Sequence, residues 1–182
     1  VGLAVLCHDL GKPLTSYKSE DGRIRSPKHE PRGEEPTLFF LARLNNQVDL
    51  AEQIVPLVRR HLAPRVLYKD KASDGAIRRL ARQVKRIDRL VRVAQADLQG
   101  RPPRQDDFPE GPWLLKRAEE LQVKDSEPKP IILGRHLVDR GLEPGPDFGP
   151  LLEECFEAQL DGKFSDEKGG CSFLENLLRQ SN

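Results

Sequence analysis

Between residues 77 and 97 the chain carries one long apolar stripe. Ile77, Leu80, Ala81, Val84, Ile87, Leu90, Val91 and Ala94 recur mostly three or four residues apart, the period of an amphipathic helix. Such a stripe must be covered by other elements, which commits the chain to helix-on-helix packing. Ser73 or Asp74 is suited to cap its start, and Asp88 can cap a second helix and so divide it. The stripe ends at Asp97, a carboxylate closing an otherwise apolar face. A charge placed there needs a partner, and a metal ion is one candidate.

The remaining segments follow the same helical logic. Val1 to Leu10 reads as the last turns of a buried helix, ended by Gly11 and Pro13, residues that stop helices. Residues 15 to 35 are polar and rich in Gly, Pro and charge, which predicts a long loop. Pro36 opens a helix through TLFFLARL, and another runs from Val48 to Leu62 with Pro56 as a kink. A Pro-rich connector, RPPRQDDFPEGP, precedes helical patterns at Trp113–Val123, Ile131–Arg140, Leu151–Leu160 and Ser172–Arg179. No run alternates apolar and polar over strand length. The class is all-α: a helical bundle over residues 1–108 and a smaller helical segment over 109–182.

Composition narrows the classes of function. Lys plus Arg number 30 against 29 Asp plus Glu, so any electrostatic signal lies in arrangement and not in net charge. Three cysteines, Cys7, Cys155 and Cys171, form no CxxC pair, which leaves neither a disulfide framework nor a zinc ribbon and suits a reduced, cytoplasmic protein. No apolar stretch approaches the roughly 20 residues of a membrane helix. The sequence lacks methionine and opens inside an apolar run, so a piece of something longer is expected.

Against that frame stand His8 and Asp9, adjacent at the end of the first apolar segment. Neighbouring residues on a helix point about 100° apart, so both reach one ion only near a helix end. Imidazole nitrogen with carboxylate oxygen suits a borderline or hard divalent metal, but two ligands are too few. His29 lies in the long loop just before a helix, His61 ends the next helix, and Asp97 ends the stripe. Each alone reads first as a surface or helix-end polar residue. Together they form a set.

The runs CHDLGKP, SPKHEPRGEEPTLFFLARL, LVRRHLAP, RRLARQV and VAQADLQGR resemble the HD-domain phosphohydrolase superfamily. The likeness is to the HD domain fused behind the nucleotidyltransferase of bacterial CCA-adding and poly(A) polymerase-like enzymes. The tail LGRHLVDRGLEPGPDFGPLLEECFEAQLDGKF resembles their C-terminal segment, so the likeness spans nearly the whole chain. It implies an HD domain over 1–108 and a nucleotidyltransferase-type tail over 109–182. It also implies a divalent ion (Mg, Mn or Ni) held by His8, Asp9 and Asp97, with a further histidine upstream of Val1 and a nucleotidyltransferase head before that. The implied activity is that of a phosphatase or 2′,3′-cyclic phosphodiesterase on nucleotide or RNA-end phosphoesters. In the family a histidine matching His61 is followed by aspartate, whereas here Leu62 follows.

In that chemistry Lys12 offsets phosphate charge as a point cation and Arg101 grips phosphate oxygens in a fork. His29 and His61 bind phosphate or protonate a leaving oxygen. A second constellation is basic. Arg78, Arg82, Lys85, Arg86, Arg89 and Arg92 lie opposite the apolar stripe, and on one continuous helix they form a cationic ridge suited to an RNA backbone. A different class of function is therefore a non-catalytic body that holds tRNA for the head. His136 reads as a surface helix residue, and Trp113 as packing.

Overall fold

A computed structural model describes residues 1–44 and 47–180. The structure is 62% helical, as the helical periodicity predicts. The described residues form α1 (Gly2–Cys7), α2 (His29–Arg32), α3 (Glu34–Leu44), α4 (Val48–Arg60), α5 (Ala63–Lys69), α6 (Asp74–Val84) and α7 (Ile87–Gln99). They continue with α8 (Glu110–Glu120), α9 (Gly134–Val138), α10 (Phe148–Leu160) and α11 (Glu167–Gln180). A 3₁₀ turn at Lys12–Leu14 follows α1. The long loop holds a small antiparallel hairpin, β1 (Tyr17–Lys18) and β2 (Ile24–Arg25), with Tyr17 opposite Arg25. Two residues a strand leave no sequence alternation to read. No helix of the described residues is long and apolar enough to cross a membrane.

The 77–97 stripe is two helices. Ser73 caps α6 by accepting from the Ala76 N–H at 3.3 Å. Lys85 then takes φ +59°, which ends the helix. Asp88 accepts the Arg86 side chain at 2.8 Å and does not itself cap α7, whose N-cap is Arg86. The apolar period survives the break. Ile77, Leu80, Ala81 and Val84 of α6 and Ile87, Leu90 and Val91 of α7 all enter one core with Leu57 and Val58 of α4. α4 and α7 are the inner helices, and α1, α2 and α3 pack on α4.

Leu114, Ala118 and Val123 join the same core, so α8 and the residue soon after it pack with the helices that precede them. A second apolar cluster gathers Leu137, Cys155, Ala158 and Leu174 of the last three helices with Ile132 and Phe164 from the segments beside them. Packing therefore changes hands between residues 123 and 131. α10 fastens this second cluster to α6 through Arg79 and Arg82, which bond to Glu157, Asp161 and Glu153 at 2.7 Å. His136 is buried at 4% exposure, not on the surface. Its Nδ1 accepts the Leu133 N–H at 2.9 Å at the start of α9, and its Nε2 faces Glu167 Oε1 of α11 at 2.7 Å. A helix of five residues needs that anchor.

Candidate metal centre

The chain delivers its first polar pair where α1 stops. His8 is the C-cap of α1, and Asp9 follows it in the turn that leads through Gly11 to the 3₁₀ segment. Gly11 is required by close approach: a Cβ there would lie 2.0 Å from the His29 carbonyl oxygen. The missing side chain lets α2 lie against the turn, which brings His29 to Asp9. His61 arrives from the end of α4 and Asp97 from the last turn of α7. Four helix ends thus meet at one point.

The histidines are oriented by one repeated device. Nδ1 of His8, His29 and His61 donates to the carbonyl three residues earlier: Val5 at 2.6 Å, Ser26 at 2.8 Å and Val58 at 2.7 Å. A carbonyl only accepts, so each Nδ1 holds a proton and each Nε2 is turned inward. His29 Nε2 and His61 Nε2 stand 3.4 Å apart, and His29 Nε2 is 3.5 Å from Asp9 Oδ1. That oxygen is buried with no hydrogen-bond partner. One ligand atom from each of Asp9, His29 and His61 lies within 4.8 Å of the others.

His8 and Asp97 form the other half. His8 Nε2 lies 3.2 Å from Asp97 Oδ1 and 3.3 Å from Asp9 Oδ2. The hydrogen bond to Asp97 lifts the His8 imidazole above its ordinary pKa in spite of burial. Burial acts to raise the Asp97 carboxyl, but the bonds from His8 and Arg101 outweigh it and hold it well below the usual range. Burial pushes the His61 imidazole down. One histidine beside the carboxylates therefore favours a proton while its neighbour, with ring centroids 5.1 Å apart, resists one.

All seven residues singled out for metal or phosphate chemistry come together here. Lys12 Nζ sits 2.5 Å from Asp9 Oδ2, and Arg101 forks onto Asp97, donating Nε to Oδ1 at 3.0 Å and Nη2 to Oδ2 at 2.6 Å. Both cations thus face carboxylates of the cluster and remain partly exposed. The sequence missed Glu110, buried at 8% and lining the cleft that reaches His61 and Asp97. Its place in the first turn of a helix gave no signal.

The basic residues are not brought together as one ridge. The break between Val84 and Ile87 divides them, and Arg78 donates to the Leu160 carbonyl at 3.0 Å. Arg82 is occupied by Glu153 and Glu157, Arg86 by Asp88, and Arg89 by Gln53. Among the described residues, Lys85 and Arg92 make no hydrogen bond or ion pair through their side chains.

Comparison with known proteins places this geometry in context. The chain is 33% identical to the CC-adding tRNA nucleotidyltransferase of Thermus thermophilus over 179 residues, covering 94% of this chain and 38% of that protein. Its homologues are tRNA nucleotidyltransferases. The A-adding tRNA nucleotidyltransferase of Deinococcus radiodurans is 26% identical over 98% of this chain and 42% of its own length. A multifunctional CCA protein of Xylella fastidiosa is 33% identical over 64% of this chain and 28% of its own. The chain thus spans about two fifths or less of the tRNA nucleotidyltransferases it matches. No protein-family model matches it, and no solved structure matches it significantly.

Proposed function

We propose that this chain is the metal-dependent phosphohydrolase body of a tRNA nucleotidyltransferase-like protein, acting on nucleotide or RNA-end phosphoesters in the cytoplasm. One observation carries the reading: two histidine nitrogens and a buried carboxylate oxygen converge with no donor among them. Buried acceptors facing one another are unfavourable unless a cation lies between them. The donor set suits a divalent ion such as Mn, Ni or Mg. The spacing also fits, since two imidazole nitrogens about 2.1 Å from one ion stand roughly 3–3.5 Å apart, and here the pair is 3.4 Å apart. His8 borders the same Asp9 carboxylate and bonds to Asp97, and these two residues would complete the ring of ligands.

When bound, the ion supplies Lewis acidity and lowers the pKa of water for attack on phosphorus. The chain's own groups do the rest. The backbone carbonyls of Val5, Ser26 and Val58 fix the histidine tautomers, as supporting carbonyls do in metal sites. Asp9 presents one oxygen to His29 and the other to His8 and Lys12. Lys12 and Arg101, part-exposed at the mouth, would exchange some of their hold on carboxylate for phosphate oxygens.

The wider setting rests on the relatives, whose names describe addition of C or A to tRNA. On this reading the partners are tRNA and a nucleotidyltransferase head in the same protein. The test is hydrolysis of 2′,3′-cyclic AMP and of p-nitrophenyl phosphate by the full-length protein with added Mg²⁺, Mn²⁺ or Ni²⁺. Metal-dependent turnover that drops at least about tenfold in His61→Ala is expected. No turnover with any of the three ions would overturn the enzyme reading in favour of a non-catalytic tRNA-holding body.

A further inference from the structure

Tyr68 and Trp113 meet edge to face, with ring centroids 5.6 Å apart and planes at 71°. They come from α5 and α8, which pack side by side. The same two helices wall the cleft at the metal centre, where Arg65 of α5 and Glu110 of α8 stand with His61, Asp97 and Arg101. Residues three apart on a helix share a face. Tyr68 is therefore one turn beyond Arg65, and Trp113 one turn beyond Glu110, so both walls of the cleft continue into the aromatic pair. Tyr68 is 40% exposed, and Trp113 is partly buried against the core.

The pair has cations beside it, together with the carboxylates of Asp70 and Glu110. Arg65, Lys69 and Lys116 are exposed, and among the described residues their side chains make no ion pair. A part-exposed ring pair with cations beside it, one turn from the cleft residues Arg65 and Glu110, matches what a nucleotide presents: a flat base joined to an anion. Base–aromatic stacking contributes about 1–3 kcal/mol per base and tolerates any base.

We propose that Tyr68 and Trp113 form a base-stacking subsite for the substrate of the metal centre. The inference rests on the phosphohydrolase reading for the position of the phosphate, and it names the substrate as one that carries a nucleobase. Arg65 lies between the two subsites and steers the phosphate toward Asp97 and His61. Tyr68 holds the base, and Trp113 stiffens Tyr68 through their edge contact.

Trp113 is the single tryptophan of these 182 residues, so the fluorescence of the 182-residue chain reports on this subsite. The protein is titrated in EDTA with AMP and, separately, with ribose 5-phosphate. Saturable quenching by AMP and none by ribose 5-phosphate is expected. Tyr68→Ala should weaken AMP binding about tenfold while Tyr68→Phe preserves it. Quenching that is absent, equal for the two ligands, or unchanged in Tyr68→Ala overturns the subsite. The comparison of AMP with ribose 5-phosphate needs no variant, so a misfolded Tyr68→Ala protein does not blunt the test. Hydrolysis without AMP quenching removes the subsite and leaves the enzyme reading intact. Quenching without hydrolysis under any metal does the reverse.

Discussion

The Nε2 atoms of His29 and His61 face each other across 3.4 Å, and neither has a proton of its own to offer. Both rings have committed their Nδ1–H groups to backbone carbonyls. His61 is 1% exposed, so water does little to relieve the pair. Asp9 Oδ1, also without a donor, adds a third acceptor. Folding has assembled an unfavourable electrostatic arrangement, as expected of a site built to receive a positive charge.

That arrangement predicts a stabilising substitution. In metal-free protein His61→Leu should be at least as stable as the unaltered chain at pH 7.5, because it removes an acceptor from a buried, donorless cluster. The His61 pKa is depressed in the folded state, so its neutral form is favoured there and stability falls as pH drops below the ordinary value near 6.5. The advantage of His61→Leu should therefore widen from pH 7.5 to 5.5 in urea unfolding. A loss of about 3 kcal/mol at pH 7.5, the size of ordinary core damage, would contradict this account.

Asp97→Asn should act oppositely. The carboxylate is bonded by His8 and Arg101, and its removal is expected to cost about 2 kcal/mol at neutral pH. Its depressed folded pKa means that this stabilisation is present above the ordinary aspartate value near 3.9 and is lost as pH falls through the folded value. His8, with a raised folded pKa, contributes fully below about 6.5 and loses its contribution as pH rises through the folded value. Urea unfolding of the two proteins at pH 7 and at pH 3 checks this. The gap between them should shrink in acid, and a constant gap would refute the pairing.

Gly11→Ala should disturb the centre without touching a ligand. The new methyl group meets the His29 carbonyl at 2.0 Å, so α2 must move away from Asp9. Overpacking of this kind costs about 1–3 kcal/mol, and Ni²⁺ affinity should fall at least about tenfold. Thermal unfolding with calorimetric Ni²⁺ titration measures both effects, and an unchanged affinity would show that the turn does not position Asp9.

The arginines of α6 serve packing. Replacing Arg79 and Arg82 together by Ala removes their bonds to α10. Amide hydrogen exchange in α10 is expected to speed up several-fold while exchange in α4 and α7 stays the same. Uniform exchange before and after would mean that α10 is held by its apolar contacts alone.

How far the sequence revealed this follows from range. The helices came from local period and capping, and Ser73 caps α6 much as its position suggests. The site residues were legible as residue types at helix ends, but their grouping was not. That His29 and His61 converge with Asp9, while His8 pairs with Asp97, depends on the packing of four separated helix ends. The basic residues looked like one ridge because helical spacing continues across Lys85, whose positive φ breaks it. Their acidic partners on α10 lie 71 or more residues away. His136 was misread for the same reason, since Glu167 is 31 residues distant.

The most direct test of the central claim is calorimetric titration of the metal-stripped protein with Mn²⁺ or Ni²⁺, alongside His29→Ala and His61→Ala. The account predicts saturable binding by the unaltered chain that falls at least about tenfold in each variant. Binding that is absent in the unaltered protein, or that survives both substitutions undiminished, would contradict it.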